Sequence, residues 1–537
     1  MRFLACFLVI VFTAYMQTRP RFSLNLICNA VGLLVLLLFA SVTFLFNLAA
    51  TSIDQASDEV IYARVTQTLF QAWERGESGF PLKHGNLPFY EKPPLKLLLS
   101  AATLNLFGNS TLGLRVLDGM LGCLSTFLTV LLIARITGSF SLGLATGFLV
   151  ILVPEWVLFA HSFRKNVLDG LLTTLILVAG FWSWKGYNEL AHGRSARYYL
   201  AVFSAICGVA TLVKSVAGLV PIFPVFLLVL MQPNSLKEKA RSFISLTTGP
   251  LIFFGYCVLL YVMLPKSLPT FIGTEILHRA TTGFEGHNLG KPFFYFTYLF
   301  DRSAFLPLGL LLVGIFGTVS LLTVKNKGDK DMDKLVSSST RVGARYLVMM
   351  AWCPIFLFSL SSAKLPWYIS PYAPFFIGSA LLGVVFVFRF LIARPWLSQR
   401  KSIQRGFLLF TLFMFCLPLI PRAQRVLNFV MNPMNRLPID LVVEKIRAEK
   451  GNVIIVDNVI SNRATPIKGR FNVEGIYKEM LHDRIKKVSS TERTEYSPGD
   501  FVFVARDAVH ALPEGGEEIA RLPPLPPRRE EVIVLKY

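Results

Sequence analysis

Charge is scarce in this 537-residue chain. Asp, Glu, Lys and Arg make up 16% of it against 53% hydrophobic residues, and the mean hydropathy is +0.54. So little charge cannot cover a water-facing surface of this size, which argues against an ordinary soluble enzyme, and so much apolar side chain excludes disorder. Acidic residues are the scarcer kind, 33 against 54 basic ones, for a net charge of +21. On a soluble protein that surplus would suggest nucleic acid; on a membrane protein it suggests cations gathered in alternate loops, where they set topology. Membrane lipids, and no nucleic acid, are therefore the expected partners. Paired cysteines are absent: Cys6, Cys28, Cys123, Cys207, Cys257, Cys353 and Cys416 all lie in apolar stretches, with no CxxC among them. That excludes zinc ribbons and dithiol redox motifs, and it leaves the polar loops without disulfides. No HExxH spacing and no glycine-rich nucleotide cradle occurs either.

What is present is a series of apolar runs near the length that spans a bilayer, at 24–50, 112–134, 139–160, 167–184, 198–214, 217–232, 242–263, 303–324, 346–362, 372–393 and 406–420. Cations fall between alternate runs: Arg19 and Arg21; Arg135; Lys185, Arg194 and Arg197; Lys237, Lys239 and Arg241; the stretch 325–345; and Arg394, Arg400, Lys401 and Arg405. The positive-inside rule places these in the cytoplasm. The stretches 51–111, 161–166, 264–302, 363–371 and everything after 421 are then extracytoplasmic. Residues 1–23 form an N-terminal apolar segment. It reads as a signal-like segment, an extra tilted helix or sequence upstream of the true start, and retention is expected.

Residues 436–537 differ in texture. Asp440 to Lys450 has amphipathic helical spacing, 470–485 suits another helix, and 453–457, 501–504 and 532–535 have the look of buried strands. The expected fold is mainly α. A polytopic transmembrane helical bundle at 24–435, with loops 51–111 and 264–302 outside, carries a small extracytoplasmic α/β domain at 436–537.

The outer loops hold the unusual residues. The first contains Ser57-Asp58-Glu59-Val60-Ile61-Tyr62, then Phe89-Tyr90-Glu91-Lys92-Pro93-Pro94. A helix starting near Ser57 puts Asp58 and Tyr62 on one face. Asp58 is then either a reactive acid or one that complements the helix dipole, and Glu91-Lys92 either functional or a surface ion pair of little worth. Asp169 stands at the outer start of an apolar helix, where an ionisable group is costly and usually faces a cavity; a cap is the bland alternative. Lys214, at the outer end of its run, either snorkels or lines an anion-holding cavity. The third loop carries Glu275, His278, Arg279, His287 and Lys291, and a fourth reads Lys364-Leu365-Pro366-Trp367-Tyr368-Ile369-Ser370-Pro371. Carboxylates, cations and aromatics on one side of a membrane suit chemistry on an anionic lipid-linked substrate. A carboxylate can take a hydroxyl proton, and Lys and Arg can hold a phosphate leaving group.

At these residues the sequence resembles a known group. Asp58-Glu59-x-x-Tyr62, Glu91-Lys92-Pro93-Pro94-Leu95, Leu106-Phe107-Gly108 with Arg115, Asp169, and Lys364-Leu365-Pro366-x-Tyr368-x-x-Pro371 are similar in order and kind to motifs of the bacterial C-type membrane glycosyltransferases. That group includes lipid A aminoarabinose transferase and relatives of the protein O-mannosyltransferases. The resemblance covers roughly 45–420 and implies a C-type glycosyltransferase fold in a bacterial inner membrane. It implies Asp58 as catalytic base, Asp169 as a second acid, and Lys92, Arg279 and Tyr368 on the donor phosphate, with Glu59, Tyr62, Lys214 and Lys364 in support. The donor would be a polyprenyl-phosphate sugar, with inversion at the anomeric carbon, and the acceptor a lipid, glycan or protein. No cofactor is fixed by the motifs; the resemblance would add a divalent metal at Glu91 with His278 or His287. The sequence departs from the family pattern at Trp367, where a small residue is expected, and in a short, rearranged histidine loop. A transporter or flippase of lipid-linked sugars, and a non-catalytic envelope assembly protein, are the competing readings; the first would show paired broken helices in inverted repeats, and no clear pair is visible.

Overall fold

A computed structural model describes residues 22–48, 58–84, 87–161, 168–281, 293–301, 306–323, 338–392, 419–431, 453–456, 485–488, 500–505, 515–522 and 532–536. The first long helix is α1 (Phe22–Leu45). After it come α2 (Asp58–Glu74), a two-residue antiparallel ladder of β1 (Lys83–His84) with β2 (Leu87–Pro88), and α3 (Leu95–Phe107). A tight helical pair follows, α4 (Thr111–Thr137) and α5 (Phe140–Ile151). Ser110 and Ser139 open these helices by accepting the N–H of Gly113 and Leu142, and Gly138, at φ +69°, closes α4.

The run expected as one span at 139–160 is two helices. The chain stops at Leu152 and restarts as α6 (Pro154–His161), because proline has no N–H to give to a continuing helix and fits the first turn of a new one. Then come α7 (Asp169–Ala191) and α8 (Arg197–Lys214). The expected span at 217–232 is instead a 3-10 turn at Ser215–Leu219 and a nine-residue helix, α9 (Ile222–Leu230). α10 (Leu236–Leu246), capped by Ser235, leads through Thr247 into α11 (Thr248–Met263). Helical turns over 267–281, including a π-type segment Phe271–His278, occupy the first part of the third of the expected loops. α12 (Phe294–Asp301), α13 (Leu308–Thr323), α14 (Ser338–Leu360), α15 (Ala373–Ile392) and α16 (Leu419–Met431) complete the described helices. Residues 1–21 and nearly all of the expected span 406–420 lie outside the described residues.

Among the described residues, six stretches are long and apolar enough to cross a membrane: Ile27–Leu45, Thr111–Thr137, Arg197–Leu219, Leu236–Met263, Ser339–Leu360 and Pro366–Leu391. Leu251, Phe254 and Val262 on α11 and Leu312 and Phe316 on α13 are exposed. In water so many bare apolar side chains would drive association; on a multi-pass membrane protein they meet lipid.

Glycine brings the helices close, as is usual where the solvent gives no drive for helix association. A Cβ on Gly317 of α13 would stand 2.0 Å from the carbonyl oxygen of Gly383 on α15, and one on Gly314 would stand 2.6 Å from that of Ala380. The same approach lets the Thr318 hydroxyl donate to the Ser379 carbonyl at 2.8 Å.

The C-terminal strands are β3 (Val453–Val456), β4 (Ile485–Val488), β5 (Phe501–Ala505), β6 (Glu517–Leu522) and β7 (Val532–Lys536), in the order β4-β3-β5-β7-β6. β3 is parallel to β4 and β5; β7 is antiparallel to β5 and β6. The three expected strands are present. The helix expected at 470–485 ends where β4 begins at Ile485; its other residues, and the expected helix at 440–450, lie outside the described residues.

Candidate active site

Asp58 and Glu59 open α2, as the spacing required, but their side chains lie outside the described residues. Tyr62, one turn on, is buried with its ring edge-on to Phe89 at 6.3 Å. Phe89 leads into Tyr90, Glu91 and Lys92 ahead of α3. Glu91 is exposed and Lys92 half-buried. Tyr90 packs against Tyr256, Leu260 and Phe271 together with Leu212 of α8 and Ile272 and Ile276 of the third loop. The first loop, the end of α8 and the third loop therefore meet in one small apolar cluster.

Asp169, first residue of α7, is fully buried, and its Oδ1 accepts a hydrogen bond from the Lys214 ammonium at 2.5 Å. Oδ2 has no hydrogen-bond partner among the described residues. Lys214 ends α8, and its ammonium also lies 5.1 Å from the centre of the Tyr368 ring, within cation–π range. The next residue, Ser215, has φ +49°, uncommon for any residue but glycine, and there the α-helix tightens into a 3-10 turn. Gly218 of that turn lies so close to the chain at Ala210 and Thr211 that a Cβ would fall 2.4 Å from the Thr211 nitrogen. Lys214 thus sits on a fixed corner.

The fourth loop is tied down on every side. The Tyr295 hydroxyl of α12 donates to the Leu365 carbonyl and accepts from the Leu365 N–H, both at 3.1 Å. The Trp156 indole of α6 donates to the Ser370 carbonyl at 3.0 Å. Ser362 donates its N–H to the Ala280 carbonyl at 2.9 Å and its hydroxyl to that of Thr281 at 2.8 Å. That pair fixes the third loop immediately after Arg279, whose side chain lies outside the described residues. Lys364 is buried and donates to the Ser361 carbonyl at 2.5 Å, so it braces its own loop.

Of the expected site residues, the structure gathers Asp169, Lys214 and Tyr368 at one end of the bundle and anchors the backbone beside Arg279 to the loop that carries Tyr368. It does not assemble a metal site from the described residues. Glu91 and His278 are both exposed, no group of three His, Cys, Asp or Glu side chains forms among the described residues, and His287 lies outside them. His84, in β1, is held below the usual imidazole range by burial first and by Arg64 second.

Two buried polar groupings were missed from the sequence. Lys96 of α3 donates to Asp118 of α4 at 3.1 Å and to Ser100 at 2.7 Å, with both charged side chains buried. One turn before Asp118, buried Arg115 donates to the Leu48 carbonyl at 3.0 Å, gripping the chain where it leaves α1 for Asp58. The second is Glu155 of α6, buried and hydrogen-bonded by the Tyr298 hydroxyl of α12. The available signal was a charge inside an apolar run, which needs a buried partner.

Residues 31–268 match the family model described as dolichyl-phosphate-mannose-protein mannosyltransferase. No protein with a curated description matches significantly. Among solved structures, ArnT from Cupriavidus metallidurans bound to undecaprenyl phosphate superposes with a TM-score of 0.55 at 16% identity, over 94% of this chain and 97% of that one. The apo state of the same protein gives 0.55 at 16%, over 94% and 98%. The apo oligosaccharyltransferase of Archaeoglobus fulgidus is a fainter likeness, 0.47 at 13%, over 86% of this chain and 64% of that one. The chain thus resembles the C-type membrane glycosyltransferases in sequence over residues 31–268, and it has their fold along nearly its whole length.

Proposed function

We propose that this chain transfers a sugar from a polyprenyl-phosphate donor to an envelope acceptor, and does so at the extracytoplasmic face of a bacterial inner membrane. The observation that carries the reading is the convergence at one end of the bundle. There Asp169, Lys214 and Tyr368 touch, Ser362 holds the chain next to Arg279, and Tyr90 brings the neighbourhood of Glu91 and Lys92 to the third loop. The positive-inside pattern puts this end, and the C-terminal domain, outside the cytoplasm.

In the proposed reaction Asp58 accepts the proton of an acceptor hydroxyl. The acceptor oxygen forms a bond to the anomeric carbon as the bond from that carbon to the phosphate oxygen breaks, so a single displacement inverts the centre. The leaving polyprenyl phosphate gains charge, which Lys92, Arg279 and the Tyr368 hydroxyl stabilise where charge develops. Phosphate leaves well, so no strong general acid is needed. Asp169, locked to Lys214, supports the acceptor side; Glu59, Tyr62 and Lys364 support the loops. No step runs through a metal.

The test is incubation of the purified full chain with defined polyprenyl-phosphate sugars and candidate lipid, glycan and peptide acceptors, with mass spectrometry of the products. Asp58→Asn keeps size and capping capacity but removes basicity, so turnover should fall by roughly 10²–10⁴-fold with donor binding intact. Near-normal turnover would remove Asp58 from the mechanism.

A further inference from the structure

The other end of the bundle carries a second charged assembly that sugar transfer does not use. Asp169 and Glu189 lie about 30 Å apart along α7. Around Glu189 stand Lys185 at 2.8 Å and Arg194 at 2.5 Å. Arg197, at the start of α8, reaches Glu238 of α10 at 3.6 Å, and Arg241 reaches the same carboxylate at 3.6 Å. The two clusters therefore form one shelf across α7, α8 and α10. Each carboxylate is shared by two cations, so each cluster keeps a positive charge, and Lys237 and Lys239 add two more.

Cations at this face are expected for topology alone, so their presence carries nothing by itself. Their surroundings do. The four cations at the two carboxylates remain about half exposed, and a guanidinium held by a carboxylate still has free donors. Beside them Trp182 packs against Tyr198 and Tyr199 at 5.9 and 6.2 Å, and the Lys185 ammonium lies 5.7 Å from the Tyr199 ring. Tyr198 is 67% exposed. Such amphipathic rings settle at the headgroup level of a bilayer. On α10, Leu236, Ala240 and Ile244 form one bare stripe, with Leu236 83% and Ile244 69% exposed, next to the basic stripe of Lys237 and Arg241. An apolar stripe flanked by a basic one at the start of the Leu236–Met263 stretch suits the level where a helix meets the membrane interface.

We propose that this shelf binds the phosphodiester headgroup of an anionic phospholipid, with the guanidiniums of Arg194, Arg197 and Arg241 on the phosphate and the aromatic rings and bare α10 stripe against its acyl chains. The apolar stripe and exposed rings select a lipid over a soluble anion, which would leave them uncovered. Charge selects an anionic lipid over a zwitterionic one. The inference does not rest on the proposed transferase activity.

The experiment reconstitutes the full chain in nanodiscs of phosphatidylcholine with and without phosphatidylglycerol. Bound lipid is read by native mass spectrometry, and relative affinity by titration of labelled lipid. Phosphatidylglycerol should be retained over phosphatidylcholine, and excess inorganic phosphate should not displace it. Arg197→Gln with Arg241→Gln should lower the preference by about fivefold per cation removed. Should that pair misfold, judged by its thermal transition, Arg194→Gln with Lys237→Gln on the exposed rim should give the same loss. Equal retention of the two lipids by the unaltered chain, or an unchanged preference in a folded double variant, would overturn the proposal. Full displacement by inorganic phosphate would overturn the lipid assignment.

Discussion

At Asp169 and Lys214 the two partners of one ion pair differ in exposure, 1% against 19% for the side chains. Lys214→Met leaves a carboxylate with no route to water and should cost about 3–5 kcal/mol, the range for stranding a buried charge. Asp169→Asn leaves an ammonium that still reaches solvent and lies over Tyr368, so it should cost less. The double variant should cost less than the sum of the two. Thermal unfolding in detergent measures all three; equal costs for the single changes would mean that solvent reaches both groups alike. Asp169 and Lys214 were visible in the sequence as lone charges at the ends of apolar runs, but nothing there paired them, because they are separated by a whole helical hairpin. Arg115 was legible only as a residue: its partner, the Leu48 carbonyl, and the whole Lys96–Asp118 pair follow from how α1, α3 and α4 pack.

Most long helices were readable from hydropathy, since a run of apolar residues is what a bilayer requires. The breaks were not, although Pro154 signalled one of them. What the sequence conceals at this scale is which glycines matter. Gly317 and Gly255 both sit in apolar helices, yet a Cβ on Gly317 meets the Gly383 carbonyl oxygen at 2.0 Å, and one on Gly255 meets nothing within 4 Å. Gly317→Ala must push α13 from α15 and lengthen the Thr318 to Ser379 hydrogen bond, at a cost of about 1–3 kcal/mol. Gly255→Ala should be neutral or stabilising by up to about 1 kcal/mol through helix propensity. Thermal transitions of the two variants in detergent test the contrast, and similar effects would mean that the α13–α15 crossing is looser than described.

For the molecule as a whole, the fold class and the sidedness expected for it came from composition and the alternation of charge, because both are long-range properties of the chain that need no packing. The expected sidedness is open to a direct test: an alkaline phosphatase fused after Tyr537 should be active, and a reporter that works only in the cytoplasm should be silent. The reverse result would move the candidate site to the other face. The site's assembly was less legible, since it depends on ties such as Ser362 to Ala280 and Trp156 to Ser370 between segments far apart in sequence. One consequence of α7 extends beyond the site. With a buried ion pair at Asp169 and a half-exposed cation cluster at Glu189, that helix is a ruler that fixes the distance between two charged levels of the bundle. A bilayer that is too thin or too thick has to tilt the helix or deform around it, and tilting would shear Lys214 away from Tyr368. Turnover in vesicles made from phosphatidylcholines of increasing acyl length should therefore pass through a maximum, and a flat profile would show that the ruler does not bear on the site.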